Sequence, residues 1–503
     1  MSGYQGLGTA SRCRAPRVSP LNVSPGPCVN PLMISTRSVL ALLCLSAAAL
    51  PAQTPDTLRL TLAQTVERML RTSDEARIAL AQVDLADAQV TAARAAGMPQ
   101  LRLASTYQQQ VENARALIVG NVFGQSYTYN TNLLLQQSLF QGGRIVGANQ
   151  AAARSERAAR ATSEETRITL AVDAQRIYLG VALAAQLADI QRRNLEIADT
   201  RLAQAEQLER TGRASRYDVL RARVERTNLE PTALQAENAR VLAELEFKRL
   251  LQVPVAQPIA LSTVLDPAAV QAMAATALAD DQAPGVRPGV RAAELTASAR
   301  EAAIRVARAD LLPTLNASFQ LGYLALPAFN GLPTKMGESS LAFCANPGTA
   351  TRPCQNNGWF PDRTFNVQFT WPLFDGLRAK GAIDVAQAQA RVADLQVRQA
   401  REQASIDVER ARAELVRAQA TFTARAGNVR EAAEAFDLAT MRYGRGIGTQ
   451  LEVSDAQLAL LIARSTEARA TFDLYVAVAD LARVRARPIP LPDGGTVALG
   501  PTR

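Results

Sequence analysis

The residue types that usually carry out chemistry are scarce here, or placed where they cannot do it. The chain has no His among its 503 residues, which removes the commonest general base and the commonest metal ligand. It has no Gly-rich phosphate loop and no nucleophile motif, and its acids lie on periodic helical stretches. Glu452 and Asp455 stand three apart and so share one helical face. Such a pair concentrates negative charge on that face, which attracts cations. Gly212-Arg213-Ala214-Ser215 and Gly446-Ile447-Gly448-Thr449 are glycine-centred, so backbone can approach backbone and carbonyls are left for a partner. Cys344 and Cys354 enter together in one insertion, which in a secreted chain points to a disulfide. These patterns suit binding and electrostatic selection rather than bond-making. The expectation is a non-enzyme with no cofactor and no metal site.

The elements that carry these residues occur twice. Ala93–Leu101 (ARAAGMPQL) returns as Ala307–Leu315 (ARADLLPTL), Ser138–Gly143 (SLFQGG) as Pro372–Leu377 (PLFDGL), and Thr211–Val219 as Arg445–Val453. Phe140 to Phe374 and Gly212 to Gly446 share an offset of 234 residues, whereas Pro99 to Pro313 is 214, so the second copy is 20 residues longer between its Pro and its Leu-Phe. A duplication means one structural unit built twice. The units are expected at 53–270 and 271–487, with a tail at 488–503.

Charge and the first residues narrow the setting. Lys and Arg number 55 against 46 acids, but the first 52 residues hold four Arg and no acid, and removing them leaves 51 against 46, a net +5. No dense basic run survives, and the basic residues alternate with acids along helices as on solvated faces, which argues against a nucleic-acid partner. Met33-Ile-Ser-Thr-Arg37 followed by the apolar stretch Ser38–Ala49 reads as a secretory signal, with cleavage between Ala49 and Gln53. Residues 1–52 are therefore expected to be a mis-called extension plus signal peptide, with the true start at Met33. Cys13, Cys28 and Cys44 fall in that segment, and Leu43 makes Cys44 a poor lipidation site.

Within each unit the hydrophobic period changes. Helices are expected over 62–96 and 290–311, ended by Pro99 and Pro313. Period-two stretches follow. Leu315, Ala317, Phe319, Leu321 and Tyr323 alternate with Asn316, Ser318, Gln320 and Gly322. Phe365, Val367, Phe369 and Trp371 alternate with Thr364, Asn366, Gln368 and Thr370. Leu101, Leu103 and Tyr107 share one face in the first copy, as do Tyr129, Leu133 and Leu135. Residues 116–143 and 312–334 contain no charge. One apolar face and one uncharged polar face, with aromatics such as Tyr129, Phe365, Phe369 and Trp371 at the interfaces, fit a transmembrane β-barrel. The other reading is a small antiparallel sheet capping a helical protein. Four strands cannot close a barrel, and open edges are not tolerated in lipid, so the barrel reading requires rotational oligomers. Three copies bring twelve strands.

Very long helices come next, over 145–211 and 379–443, neither containing Pro. Some 65 residues span about 100 Å. Ile168, Leu179 and Ile190 recur every 11 residues, as do Val172 and Leu183, a period that keeps an apolar stripe nearly straight and suits a wall of helices. Gly212 and Gly446 end them, and return helices are expected over 215–251, interrupted at Pro231, and over 451–487. The Pro-rich stretches 253–288 and 488–503 are expected to pack beside the helices near mid-length.

The order helix, Pro, two strands, Leu-Phe, long helix, Gly tip, return helix, present twice over residues 58–487, resembles the TolC family of outer membrane efflux proteins. The resemblance implies a mainly α fold with four strands per chain, a homotrimer with a 12-stranded outer-membrane barrel in lipid, and a periplasmic tunnel of helices. It also implies docking to a periplasmic adaptor and an inner-membrane transporter, in the outer membrane of a Gram-negative bacterium. Residues 212–215 and 446–449 then correspond to adaptor-binding tips. Asp218, Tyr443, Glu452 and Asp455 correspond to a periplasmic gate, with a departure at Gly448, where some members carry a basic residue. The function implied is an exit duct whose cargo belongs chiefly to the inner-membrane partner. The alternative is a soluble secreted coiled-coil scaffold.

Overall fold

The computed structural model describes residues 57–112, 127–263, 265–280, 285–325, 332, 336, 359–492 and 495–497. The expected signal segment, Cys344 and Cys354 lie outside the described residues. In chain order the elements are β1 (Leu58–Leu60), α1 (Leu62–Thr72), α2 (Asp74–Ala95), β2 (Gln100–Gln109), β3 (Tyr127–Gln141), α3 (Arg144–Arg210), α4 (Arg216–Leu250), β4 (Ile259–Leu261), α5 (Pro267–Ala279), α6 (Pro288–Arg308) with a 3-10 turn at Ala309–Leu311, β5 (Thr314–Ala325), β6 (Trp359–Thr370), α7 (Arg378–Gly444), α8 (Gln450–Val484), β7 (Ile489–Pro490) and β8 (Thr496–Val497).

Two helix expectations need correction. The first helix is broken at Ser73, whose side chain accepts the Ala76 amide at 3.2 Å and so starts α2 as α1 ends. Conversely, Pro231 does not interrupt α4, which runs through it. Pro231 and Thr227 are both exposed, so the carbonyl that loses its amide partner is left to water.

α3 and α7 are each 67 residues, about 100 Å long. α3 is central to the wall. Arg154 and Arg287 tie its first half to α6, by a 2.6 Å bond to the Ser298 carbonyl and a 2.8 Å bond to Glu165. Arg223 and Arg226 of α4 reach its second half at Glu206 and Asp199. α7 packs on α6 and α8, and Arg287 also holds Asp407 of α7 at 2.8 Å. Burial alone would raise the Asp407 carboxyl, but the hydrogen bonds from Gln403 and Arg287 outweigh it and hold the group below the usual range. The largest apolar core lies at mid-length, where Leu170, Val172, Tyr178, Leu179 and Val181 of α3 meet α1, α5 and the end of α8. The Tyr178 hydroxyl donates to the Leu60 carbonyl at 3.0 Å and accepts the Thr263 amide at 2.9 Å, so a fully buried phenol is satisfied by the β1–β4 segment.

β2, β3, β5 and β6 form one antiparallel sheet in that order. Cross-strand rows run Tyr107–Tyr129–Ala325–Trp359, then Leu103–Leu133–Leu321–Arg363, then Leu101–Leu135–Phe319–Phe365. All lie on one face, and the rows between them carry Asn130, Asn132, Gln136, Ser318, Gln320 and Asn366 on the other. A register shift between Ser138 and Phe140 brings Phe140 opposite Leu315, in the same row as Phe369. This bulge keeps an aromatic on the apolar face at the helix end of the sheet. Gly142 follows with φ 59°, and a Cβ there would sit 2.8 Å from the Ala309 carbonyl oxygen, so only glycine fits where β3 turns into α3.

Candidate functional site: the hairpin tips

The two hairpin tips are built alike. At the first, the amide of Gly212 donates to Glu209 O at 2.9 Å, and those of Arg213 and Ala214 donate to Leu208 O at 2.8 and 3.2 Å. At the second, Gly446 donates to Tyr443 O at 2.9 Å, and Ile447 and Gly448 to Arg442 O at 3.1 and 3.2 Å. Gly212 and Gly446 have φ of 71° and 76°, the left-handed region that ends a helix without a Cβ penalty. Gly448 serves a different purpose: a Cβ there would lie 3.1 Å from the Tyr443 amide nitrogen, so the returning chain crosses the end of α7 closely. Arg213, Ser215, Ile447 and Thr449 are exposed, and Ala214 and Gly448 are half-buried.

Two of the expected acids are engaged locally. Asp218 takes the Ser215 amide at 3.0 Å and its hydroxyl at 2.7 Å, closing a capping box at the start of α4. The Glu452 amide donates to Thr449 Oγ1 at 3.3 Å, and its carboxylate lies 3.7 Å from Arg442 Nε. Glu452 therefore leans back onto its own hairpin, and only Asp455 of the pair is exposed on the wall of the groove between α4 and α8. That groove encloses about 650 Å³ and is lined by Tyr217, Leu220, Val224, Leu458 and Leu461 as well as Asp455. Tyr443 is half-buried. Burial raises its phenol above the usual range, the Asp218 charge raises it further, and Arg201 opposes both. The structure thus gathers Tyr443, Asp218 and Arg201, and sets Glu452 apart with Arg442.

A polar knot absent from the sequence reading lies just above the tips. Arg201 of α3 donates to Ser454 Oγ at 3.0 Å and to Glu225 Oε1 at 3.4 Å, and it also meets Gln457 Oε1. Ser454 donates to Glu225 Oε2 at 2.9 Å, and Gln457 donates to Asn194 Oδ1 at 2.7 Å. The Arg201 and Glu225 side chains are only 12% and 26% exposed. Burial lowers the Arg201 pKa and Glu225 works against that shift. Three helices are joined here, one from the first hairpin's descending arm, one from its return and one from the second return. In sequence Arg201 reads as one more charge on a solvated helix face; only the packing of α8 against α3 reveals its partners. Among the described residues no cluster of three or more His, Cys, Asp or Glu could hold a metal ion.

The profile of the outer membrane efflux protein family matches residues 65–251 and 281–486, which hold both hairpins with their tips. The chain belongs to the outer membrane efflux protein family. No curated protein sequence matches it. Solved structures carry the same fold. The outer-membrane channel OprN is 21% identical over 86% of this chain and 90% of its own, at a TM-score of 0.64. The outer membrane protein VceC from Vibrio cholerae is 19% identical over 85% and 96%, at 0.64. The open state of the MtrE channel from Neisseria gonorrhoeae is 19% identical over 85% and 89%, at 0.62. This efflux protein is therefore an outer-membrane protein of a Gram-negative bacterium, mostly helical with an antiparallel sheet.

Proposed function

We propose that three copies of this efflux protein close a twelve-stranded barrel in the outer membrane, continued by a tube of helices, and that the trimer is the exit duct of a tripartite export system. The sheet is the observation that carries this reading. Within the described residues β2 and β6 each pair with one strand, and apart from a bridge between Met336 and Trp359 each leaves an edge unpaired, and in hydrocarbon every unmet backbone group costs several kcal/mol. Pairing β6 of one copy with β2 of the next removes both edges. The dimensions agree. Trp371 lies 12 residues after Trp359, about 40 Å along a strand and about 28 Å across the membrane at a tilt near 45°, close to the apolar band of such barrels. Tyr107, Tyr129 and Trp359 form the outer aromatic girdle, and Phe140, Phe369 and Trp371 the inner one. Phe365 falls mid-span beside Phe319, so it is a hydrocarbon-facing residue and not an interface residue.

The chain supplies two repeats, 53–270 and 271–487, whose hairpins point away from the membrane. Residues 212–215 and 446–449 meet a periplasmic adaptor that links the duct to an inner-membrane transporter. Asp218, Tyr443, Glu452 and Asp455 border the constriction at that end. The exposed glycine turns support the docking assignment: around Gly212 and Gly446 the space where a side chain would stand is open. Native mass spectrometry of detergent-extracted protein tests the assembly. The expected mass is that of three chains, and a stable monomer in buffer without detergent would overturn the barrel.

A further inference from the structure

Charge on the four barrel strands is confined to Arg102, Asp362 and Arg363. Arg102 and Asp362 lie on the polar face, where Arg102 donates to Gln100 at 3.1 Å and Asp362 lies 3.5 Å from Gln320. Arg363 lies on the apolar face instead, opposite Leu321 and in line with Leu133 and Leu103. It is exposed, and among the described residues it has neither an ion pair nor a hydrogen bond. No acid exists on that face of any of the four strands. The edge strand β2, which would meet β6 in a closed barrel, offers Leu101, Leu103, Ser105, Tyr107 and Gln109 there, none of them charged. Among the described residues no acid of the sheet shares a face with Arg363, which leaves its charge open to a partner from outside the protein.

Depth identifies the source. The helices leave the sheet at the Gln141 and Thr370 ends of β3 and β6, so Trp359 marks the opposite, extracellular side. Arg363 is four residues below Trp359, about 13 Å along the strand and about 10 Å in depth at the barrel tilt. A long side chain turned outward covers most of that depth and puts its guanidinium at headgroup level. Tyr323 stands one row further out on β5, diagonal to Arg363, at a separation of about 7–8 Å that one phosphate can bridge. We propose that Arg363, with the Tyr323 hydroxyl beside it, binds the phosphate of an anionic lipid in the outer leaflet. A planar guanidinium pairs bidentately with phosphate oxygens, and the acyl chains lie along Leu321, Leu133 and Phe365. A free phosphate ion has no such apolar anchorage and would need to shed its hydration against hydrocarbon. The inference rests on the reading that the apolar face meets lipid.

Titration with diphosphoryl lipid A, followed by native mass spectrometry of the detergent-solubilised protein, tests it. Wild type is expected to bind lipid A about tenfold more tightly than Arg363→Leu or Arg363→Gln, the loss of one charged hydrogen-bonding pair. Arg363→Lys should fall between. Dephosphorylated lipid A should not distinguish wild type from Arg363→Leu. Equal binding of lipid A by wild type and both neutral variants overturns the site, and displacement of lipid A by millimolar inorganic phosphate overturns the lipid as its ligand. A separate measurement isolates the underlying reading. The chain has 2 Trp, and Trp359 and Trp371 sit at the two girdles, so lipids brominated on the acyl chain should quench both. Absence of quenching would sink the lipid-facing barrel itself, whatever Arg363 binds.

Discussion

At the scale of single residues, the knot around Arg201 shows how a partly buried charge sets the geometry of the tips. Arg201 and Glu225 are shielded from water, so each depends on the other and on Ser454 and Gln457 for its solvation. Arg201→Met should cost about 2–4 kcal/mol, because Glu225 loses its counter-charge and keeps only the Ser454 hydroxyl, and the Gln457 carbonyl loses its donor. The double variant Arg201→Met with Glu225→Gln should recover a large part of that loss, since no charge is then stranded. Thermal melts followed by circular dichroism close the double-mutant cycle, and additive losses would mean that the two side chains act separately. The same reasoning explains why Asp218 and Glu452 behave differently from Asp455. The Asp218 carboxylate is held by the Ser215 amide at the positive end of its helix and Glu452 sits in the first turn of α8 near Arg442, whereas Asp455, one turn further along, faces a groove.

Elements respond to which side of them is wet. In the proposed barrel, neighbouring residues on one strand face opposite media, so the same substitution should give opposite outcomes one residue apart. Phe319→Arg puts a charge near the middle of the apolar band and should cost about 2–4 kcal/mol. Gln320→Arg puts it among Asn132, Gln136 and Asn366 and should be nearly neutral. Heat-resistant oligomer on semi-native gels reads both, and equal tolerance of the two would mean that the faces are misassigned. The helices follow the same logic. Pro231 is carried inside α4 because its stranded carbonyl faces solvent. Ser73 breaks the first helix because its side chain supplies the α2 cap. The periodic stretch 62–96 hides that break, since apolar spacing continues across it. The stripe Ile168, Val172 and Leu179 is buried as its period requires, while Leu183, at the edge of the mid-length core, and Ile190 are only half-buried.

For the whole molecule, the proposed duct is narrowed at the tips only if copies bring their acids together. Glu452→Ala with Asp455→Ala should raise single-channel conductance in planar bilayers. The gain has two sources: ring charge is lost, and so is the contact of Glu452 with Arg442 that steadies the second tip. Unchanged conductance would remove both acids from the constriction. A companion test separates the sources. Arg442→Ala should loosen the tip without removing an acid, so a rise in that variant too would assign the effect to the hairpin rather than to the ring.

Sequence by itself determined the periods, and through them the strand faces, the long helices, the duplicated order and the glycine turns. These depend on local backbone preference and on which side of an element meets water, both of which are written residue by residue. The resemblance marked the tip acids, and their three-residue spacing places Glu452 and Asp455 on one face. Contacts between elements far apart in the chain were decided only by the tertiary structure. Arg201 finds Ser454 and Gln457 more than 250 residues away, and no local pattern encodes that approach. The Asp218 carboxylate turned to the Ser215 amide and that of Glu452 toward Arg442, because a carboxylate's role depends on the nearest donors in space. The isolation of Arg363 is of the same kind: its neighbours in sequence are polar, and only the strand register shows that it stands alone among apolar side chains.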